Sequence, residues 1–364
     1  MKTKKQKVLV SVTNDLVTDQ RVHKVCTFFH ENDFEVTLIG RKLKNSVTLN
    51  RVYKTKRFKL LFTKGAMFYA NHNFRLFCYL LFHKSDILLS NDLDTLLPNY
   101  LVSKIKKVKL VYDSHEYFTE VPELTNRPKV KRIWEKIESS IFPKLKSVYT
   151  VNESLATLFS TKYKVDVSVV KNVPNYFENG DLEKNEFPTV FYQGALNKDR
   201  GLEELIQAFS FLENTQLQIA GDGDIVEGLK TLVLNLKLTE KVTFLGKIPF
   251  EELRKHTSKA HLGVTLEKDT NLNYKFALPN KLFDYISCNL PVLSCDLIEI
   301  KNIVEKYDIG ITISEIKPEI IAENIQFMFE NQSKMDFWTA NTKIAAKQLC
   351  WENEIKVLKK IYLE

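Results

Sequence analysis

At 364 residues, 44% of them hydrophobic, the chain is too long for one ordinary core and divides naturally into two domains of roughly 170–180 residues. The absence of low-complexity tracts and short repeats excludes a disordered or solenoid protein, and the longest apolar run, Leu76–Phe82, ends at His83 and Lys84, too short to cross a bilayer. A formal net charge of +8 favours acidic partners, whether nucleic acid, anionic lipid or phosphorylated substrates, without choosing among them.

The basic start leads into a Val-rich strand, Lys7–Val12, instead of a cleavable hydrophobic segment, so no export signal is expected. Asp19–Glu31 has the apolar spacing of a helix, through Val22, Val25, Cys26, Phe28 and Phe29, and Phe34–Ile39 is the next strand; together they form a βαβ unit. In Lys54–Lys64 cations alternate with Phe and Leu, which suits either contact with an anionic membrane or a solvated edge strand whose lysines prevent aggregation. Asp86–Ser90, Val108–Tyr112 and Ser147–Val151 are further short strands, each running directly into polar residues. In an open parallel sheet ligands bind beyond the carboxyl ends of the strands, so the tips to read are Thr13-Asn14-Asp15, Asn91-Asp92-Leu93-Asp94, Asp113-Ser114-His115-Glu116 and Asn152-Glu153. The first turn lacks Gly-x-Gly-x-x-Gly, which disfavours a nicotinamide or flavin dehydrogenase.

Val170–Phe187 has the composition of a linker, and the alternation restarts at Thr189–Gln193. It continues through the helix Gly201–Leu212, the strand Gln216–Ala220, the turn Gly221–Asp224, the helix Ile225–Leu236, the strand Val242–Leu245, the helix Phe250–Ser258 and the strand Leu262–Leu266. Leu278–Val292 then reads as a two-turn helix started by Pro279 and Asn280 and stopped by Asn289 and Pro291. Its N-terminus and Lys281 suit an anion, and Asp284, one turn on, suits sugar or ribose hydroxyls. A strand at Pro291–Cys295 follows, and a helix Trp351–Tyr362 comes after both domains are complete. The five cysteines have no Cys-x-x-Cys spacing and read as reduced, cytoplasmic thiols. The spacing of His, Cys and carboxylates gives no metal cage, and the dispersed basic residues give no nucleic-acid motif.

Two such domains with an Asn-Lys-Leu-Phe-Asp-Tyr helix in the second resemble the GT-B glycosyltransferases, specifically the retaining family-four group. The resemblance rests also on the segment Phe191 to Glu203, on Ile219 to Asp224, on Val242 to Lys247 and on the opening Ser11 to Lys24, the last similar to a bacterial subgroup that builds surface polysaccharides. It implies an α/β fold of two Rossmann-like doubly wound domains facing a central cleft. Residues 1–172 would bind the acceptor, 173–346 the nucleotide sugar, and a C-terminal helix at about 347–364 would pack back on the first domain.

The resemblance further implies a retaining transfer from a nucleotide-diphosphate sugar to a glycan or lipid-linked acceptor, with no cofactor required. The place of work would be the cytoplasm, at the inner face of the membrane. Arg200 and Lys281 would stabilise the leaving diphosphate and His115 would face the transferred sugar. Gly194, Lys198, Gly221, Gly223, Lys247, Glu267, Asn280 and Asp284 would hold the donor, and Asn14, Asp15, Asp92, Asp94 and Glu116 the acceptor. Asp94 equally suits a helix cap, and Glu267 a solvated loop acid. The chain departs from the family pattern where Ala195 replaces the clamp arginine and Phe276 the first of the paired acids. A sugar-nucleotide epimerase and a non-catalytic nucleotide-sugar-binding protein remain open as alternatives.

Overall fold

The computed structural model describes residues 5–178, 180 and 183–364. They form two compact units, one of residues 1–170 with 357–364 and one of 171–356.

The first unit is a parallel sheet of seven strands: β1 (Lys7–Ser11), β2 (Glu35–Lys42), β3 (Lys54–Lys59), β4 (Ile87–Asn91), β5 (Lys109–Ser114), β6 (Val148–Thr150) and β7 (Val167–Val169), in the order β3-β2-β1-β4-β5-β6-β7. Chain order and spatial order diverge between β1 and β4, where the winding reverses and the following loops leave on opposite faces. The helix Gln20–Glu31 forms because Asp19 caps it, its side chain accepting from the Val22 amide, and because Val22, Val25, Cys26, Phe28 and Phe29 bury one face. The basic strand β3 lies at the sheet edge, as the edge-strand reading expects, with Lys54, Lys56 and Lys59 exposed and Phe58 turned inward. The apolar run Leu76–Phe82 ends the helix Gly65–Phe82, and no helix among the described residues is long and apolar enough to cross a membrane.

The second unit has six parallel strands: β8 (Thr189–Gln193), β9 (Gln216–Ala220), β10 (Val242–Gly246), β11 (Leu262–Thr265), β12 (Val292–Cys295) and β13 (Gly310–Ile313), ordered β10-β9-β8-β11-β12-β13. Its reversal falls between β8 and β11. Every residue of β8, β11 and β12 is buried, as expected of central parallel strands covered on both faces. β7 and β13 lie outside the strands expected from the sequence: Val167–Val169 is short and half-buried, and Gly310–Ile313 is mostly half-buried, so neither carries the apolar run of a central strand.

At the chain end the expected helix Trp351–Tyr362 is present, and a further helix precedes it. Gln332–Gln348 is a separate helix of the second unit, and the last helix, Trp351–Tyr362, is divided: residues up to Lys356 belong to the second unit and Val357–Glu364 to the first. Its start is tied within the second unit, where the Trp351 amide donates to Pro174 O at 2.8 Å and Glu354 accepts from the Lys171 amide at 2.8 Å. Its end is held within the first, where the Tyr362 ring packs edge-on against Phe29 with centroids 4.6 Å apart. The division between the units falls after Val170, two residues before the expected boundary.

Gly221 makes a close backbone approach in the second unit. With φ at +149°, its missing Cβ would stand 1.8 Å from the Gly194 carbonyl oxygen, so the turns after β8 and β9 touch only because residue 221 carries no side chain. Gly221→Ala is expected to destabilise the protein by about 2 kcal/mol or more, read as a fall in the urea midpoint. An unchanged midpoint would show that the two turns separate freely.

Candidate functional site

The reversal point of each sheet carries a cluster of charged residues. In the second unit the cluster is built on Glu267, two residues past β11. The carboxylate is buried, accepts from Thr265 Oγ1 at 2.5 Å, and stands 2.7 Å from Lys281 Nζ and 3.2 Å from Arg200 Nη1. Gly201 permits the approach: with φ at +67°, a Cβ there would meet Leu266 O at 2.4 Å, so its absence lets the loop bring Arg200 alongside Glu267. Burial alone would push the Glu267 carboxyl up, but Lys281 and Arg200 outweigh it and hold the group at about 2. Burial pulls both cations down and Glu267 more than reverses it, so each is raised.

Two cations around one carboxylate leave a net positive charge in a water-poor site. Lys281 Nζ also lies 4.0 Å from the Tyr192 ring centroid. Its contact with Glu267 is an ion pair without hydrogen-bond alignment, and neither Lys281 Nζ nor the buried Arg200 Nε has a hydrogen-bond acceptor among the described residues. Of the two sequence readings of Glu267, the solvated loop acid is overturned: the carboxylate is buried, and Lys281 is buried against it.

The other residues expected to hold a donor divide into three groups. Gly194, Gly221, Gly223 and Lys247 line one cavity of about 580 Å³, together with Ala195, Asp222 and Asp224. Asp284, on the helix Asn280–Ser287, accepts from Gln193 Nε2 at 2.7 Å. Asn280 accepts from Asn172 at 3.0 Å on the exposed start of that helix, and Lys198 is exposed on the loop after β8.

In the first unit, Arg21 donates Nε–H and Nη2–H to the two oxygens of Asp113 at 3.0 and 2.7 Å, and Nη1–H to Val170 O at 2.7 Å. The His115 ring sits between two acids, Nε2 being 3.1 Å from Asp113 Oδ2 and Nδ1 3.3 Å from Asp92 Oδ2. Asp92 also accepts from the His115 amide at 2.8 Å. To do so it adopts φ +58°, ψ 167°, a backbone region that costs a non-glycine residue about 1–3 kcal/mol. Although Asp92 precedes the helix Leu93–Lys106, its side chain does not cap it; nor does Asp94, which lies in the first turn and accepts from Thr13 Oγ1 at 2.5 Å. Burial, followed by the Asp92 charge, pushes Asp94 up to about 7. Burial opposes the charged form of His115, but Asp92 and Asp113 overcome it and raise the imidazole to about 9. It is therefore a cation at neutral pH.

The remaining tips serve local structure. Asn14 bonds Asp19 and the Leu16 amide, and Asp15 bonds the Val17 amide and Ser46 Oγ. Glu116 is half-buried, with its carbonyl accepting from Ser114 Oγ at 3.1 Å. Asn152 caps the helix Glu153–Tyr163. Sequence reasoning singled out neither Arg21 nor Gln193. Arg21 does leave a signal, because it shares the helical spacing of Val25 and Phe28 and so puts a charge on the buried face; Gln193, ending a fully buried strand, leaves a similar one.

His115 gives a pH dependence with a definite sign. Its folded-state value lies above the ordinary 6.5, so the stability it contributes is complete below about 6.5 and is lost as pH rises through about 9. The gap in melting temperature between wild type and His115→Gln is expected to shrink over that window. A gap constant from pH 6 to 9.5 would mean that the imidazole is neutral between its two acids.

Residues 177–344 match the family described as Glycosyl transferases group 1. An uncharacterized glycosyltransferase of Methanocaldococcus jannaschii is 29% identical over 160 residues, a match that spans 38% of this chain and 37% of that protein's length. Among solved structures, sucrose-phosphate synthase from Thermosynechococcus elongatus superposes with a TM-score of 0.80 at 15% identity, covering 99% of this chain and 98% of the other. HepE of Anabaena, in complex with UDP-glucose, gives 0.74 at 14% identity, covering 97% and 98%. WaaG, a glycosyltransferase involved in lipopolysaccharide biosynthesis, also gives 0.74 at 14%, covering 98% and 99%. The chain therefore has the GT-B fold, two Rossmann-like parallel-sheet domains, and over residues 177–344 it matches the glycosyl transferases group 1 family.

Proposed function

We propose that the protein is a retaining glycosyltransferase that moves a sugar from a nucleotide diphosphate to a glycan or lipid-linked acceptor in surface polysaccharide synthesis. The observation that carries this reading is the Arg200–Glu267–Lys281 cluster at the reversal point of the second sheet. It offers a net positive charge, with a buried guanidinium N–H lacking an acceptor, where an α/β sheet binds its ligand. The glycine-walled cavity after β8 and β9 would let a nucleotide approach the backbone. The UDP-glucose bound by HepE and the lipopolysaccharide role of WaaG support the class of donor and acceptor.

In the proposed reaction the bond from the anomeric carbon to the diphosphate oxygen breaks, and a bond from that carbon to the acceptor oxygen forms on the same face. The acceptor hydroxyl proton passes to a phosphate oxygen, and the nucleoside diphosphate leaves. No protein nucleophile is needed. Arg200 and Lys281 stabilise the charge gathering on the leaving group, and because Glu267 already fixes them in place, little reorganisation accompanies the reaction. In this scheme the second unit holds the donor and the first the acceptor, and His115, Asp92 and Asp94 are the first unit's groups for that role.

Thermal-shift and calorimetric screening against UDP-, GDP-, ADP- and dTDP-sugars is expected to show stabilisation by one base class. Arg200→Ala and Lys281→Ala should each lower turnover with that donor about 10²–10³-fold while remaining folded. Wild-type rates in both would remove the leaving-group assignment. Donor consumption without an acceptor would indicate an epimerase, and binding without turnover a non-catalytic protein.

A lipid-linked acceptor would bring the protein to the cytoplasmic membrane face, where the exposed Lys54, Lys56 and Lys59 of β3 would meet anionic lipid. Replacing these three by Gln is expected to reduce sedimentation with anionic liposomes. Equal sedimentation would leave β3 as a protected sheet edge.

A further inference from the structure

We propose that the outer faces of the helices Gly65–Phe82 and Leu93–Lys106 together seat the first unit on an anionic lipid bilayer, their apolar side chains entering it and the neighbouring cations meeting its head groups. The inference rests on the membrane reading above for the class of surface met. It assigns the contact to side chains outside β3 and needs neither the donor nor the acceptor assignment.

In the helix Gly65–Phe82, Phe68, His72, Leu76 and Leu80 recur every four residues and are buried, Leu76 and Leu80 in the core over the sheet. The exposed side of the same helix is apolar too. Met67, Phe74 and Phe82 are exposed there, Phe74 at 67% and Phe82 at 80%, and the helix contains no acidic residue. From Met67 to Phe82 this stripe is about 22 Å long. Leu97, Leu101 and Ile105, four residues apart, are the exposed apolar positions of the helix Leu93–Lys106. The two helices pack side by side, and Lys106 Nζ donates to Leu80 O at 3.0 Å, which holds their C-terminal ends level. Exposed apolar residues scattered singly need no explanation, but here they form two adjacent stripes.

Cations surround them. Lys64 precedes the first helix, Lys84 follows it, and Lys104 and Lys107 stand at the end of the second, all four exposed. β3 borders the first helix, the ring centroids of Phe58 and Tyr79 being 5.8 Å apart, and adds its three lysines. Residues 54–109 hold eleven Lys and Arg against three Asp, and none of the three is exposed. This distribution selects the occupant. A second copy of the chain set on the same face by a two-fold axis would bring cations against cations with no exposed acid to answer them. An anionic bilayer answers them with its head groups. Phe, Leu, Ile and Met carry no directional hydrogen-bonding group, so acyl chains cover them without a fixed partner, and the helices lie in the interface without crossing it.

The test is sedimentation with vesicles of phosphatidylcholine alone and vesicles rich in phosphatidylglycerol, for wild type, Phe74→Gln with Phe82→Gln, and Lys104→Gln with Lys107→Gln. Wild type is expected to bind the anionic vesicles, and the Phe pair, whose charge is unchanged, to bind them about tenfold or more weakly while keeping its melting temperature. The Lys pair should bind more weakly at low salt and show a shallower salt dependence. Phe82→Trp should gain fluorescence that lipids brominated in their acyl chains quench, beyond any quenching of wild type. Unchanged binding by the Phe pair, or no added quenching, overturns the proposal. A wild-type dimer in sedimentation equilibrium that the Phe pair abolishes, without vesicle binding, makes a second copy the occupant and overturns it as well. Vesicle binding by a protein that binds no nucleotide sugar upholds this surface and removes the transferase reading; nucleotide-sugar binding without vesicle binding does the reverse.

Discussion

A buried carboxylate between two cations organises the second unit. Glu267 is removed from water, a state that is costly unless its charge is met, and Lys281 and Arg200 meet it from two different parts of the chain. Lys281 comes from the helix after β11, and Arg200 from the loop after β8. The cluster therefore ties together the two strands between which the sheet reverses. Of the two cations Lys281 is only 6% exposed, whereas the Arg200 side chain is 23% exposed.

The first unit repeats the physical problem with the signs reversed. Asp92, Asp94 and Asp113 gather at the ends of β4 and β5, and Arg21 and His115 are the cations that answer them. Arg21 satisfies Asp113 in the bidentate geometry that suits a guanidinium, so the second acid, Asp92, keeps His115 charged. The strained backbone at Asp92 shows that its carboxylate is placed for the imidazole and not for the helix it precedes. Asp94 is pushed up to about 7 by burial and then by the Asp92 charge, against the hydrogen bond from Thr13.

Glycine sets how closely the loops of the second unit approach. The contact of Gly221 with Gly194 brings two strand-ending turns together, and Gly201 allows the loop after β8 to lie on the end of β11. Neither contact adds much energy of its own. Each sets a distance that the charged residues then use: without Gly201, Arg200 could not reach Glu267 along the present path.

Much of the fold was legible in the amino-acid sequence. Central parallel strands such as Thr189–Gln193 and Gln216–Ala220 are short apolar runs bounded by polar residues, a pattern local enough to read directly. The helix Asn280–Ser287 was legible for the same reason, from its flanking prolines and its spacing. Half-buried edge strands β7 and β13 were not, since their pairing comes from a neighbour and not from their own composition. The sequence by itself determined which residue types stand at the strand tips, because that depends on periodicity along the chain. Only the tertiary structure decided which tips meet. That Lys281 turns inward to Glu267, that Arg21 answers Asp113 and that Gln193 holds Asp284 are matters of distance between residues 14, 92 and 91 positions apart in sequence, and burial and charge compensation act on those distances alone.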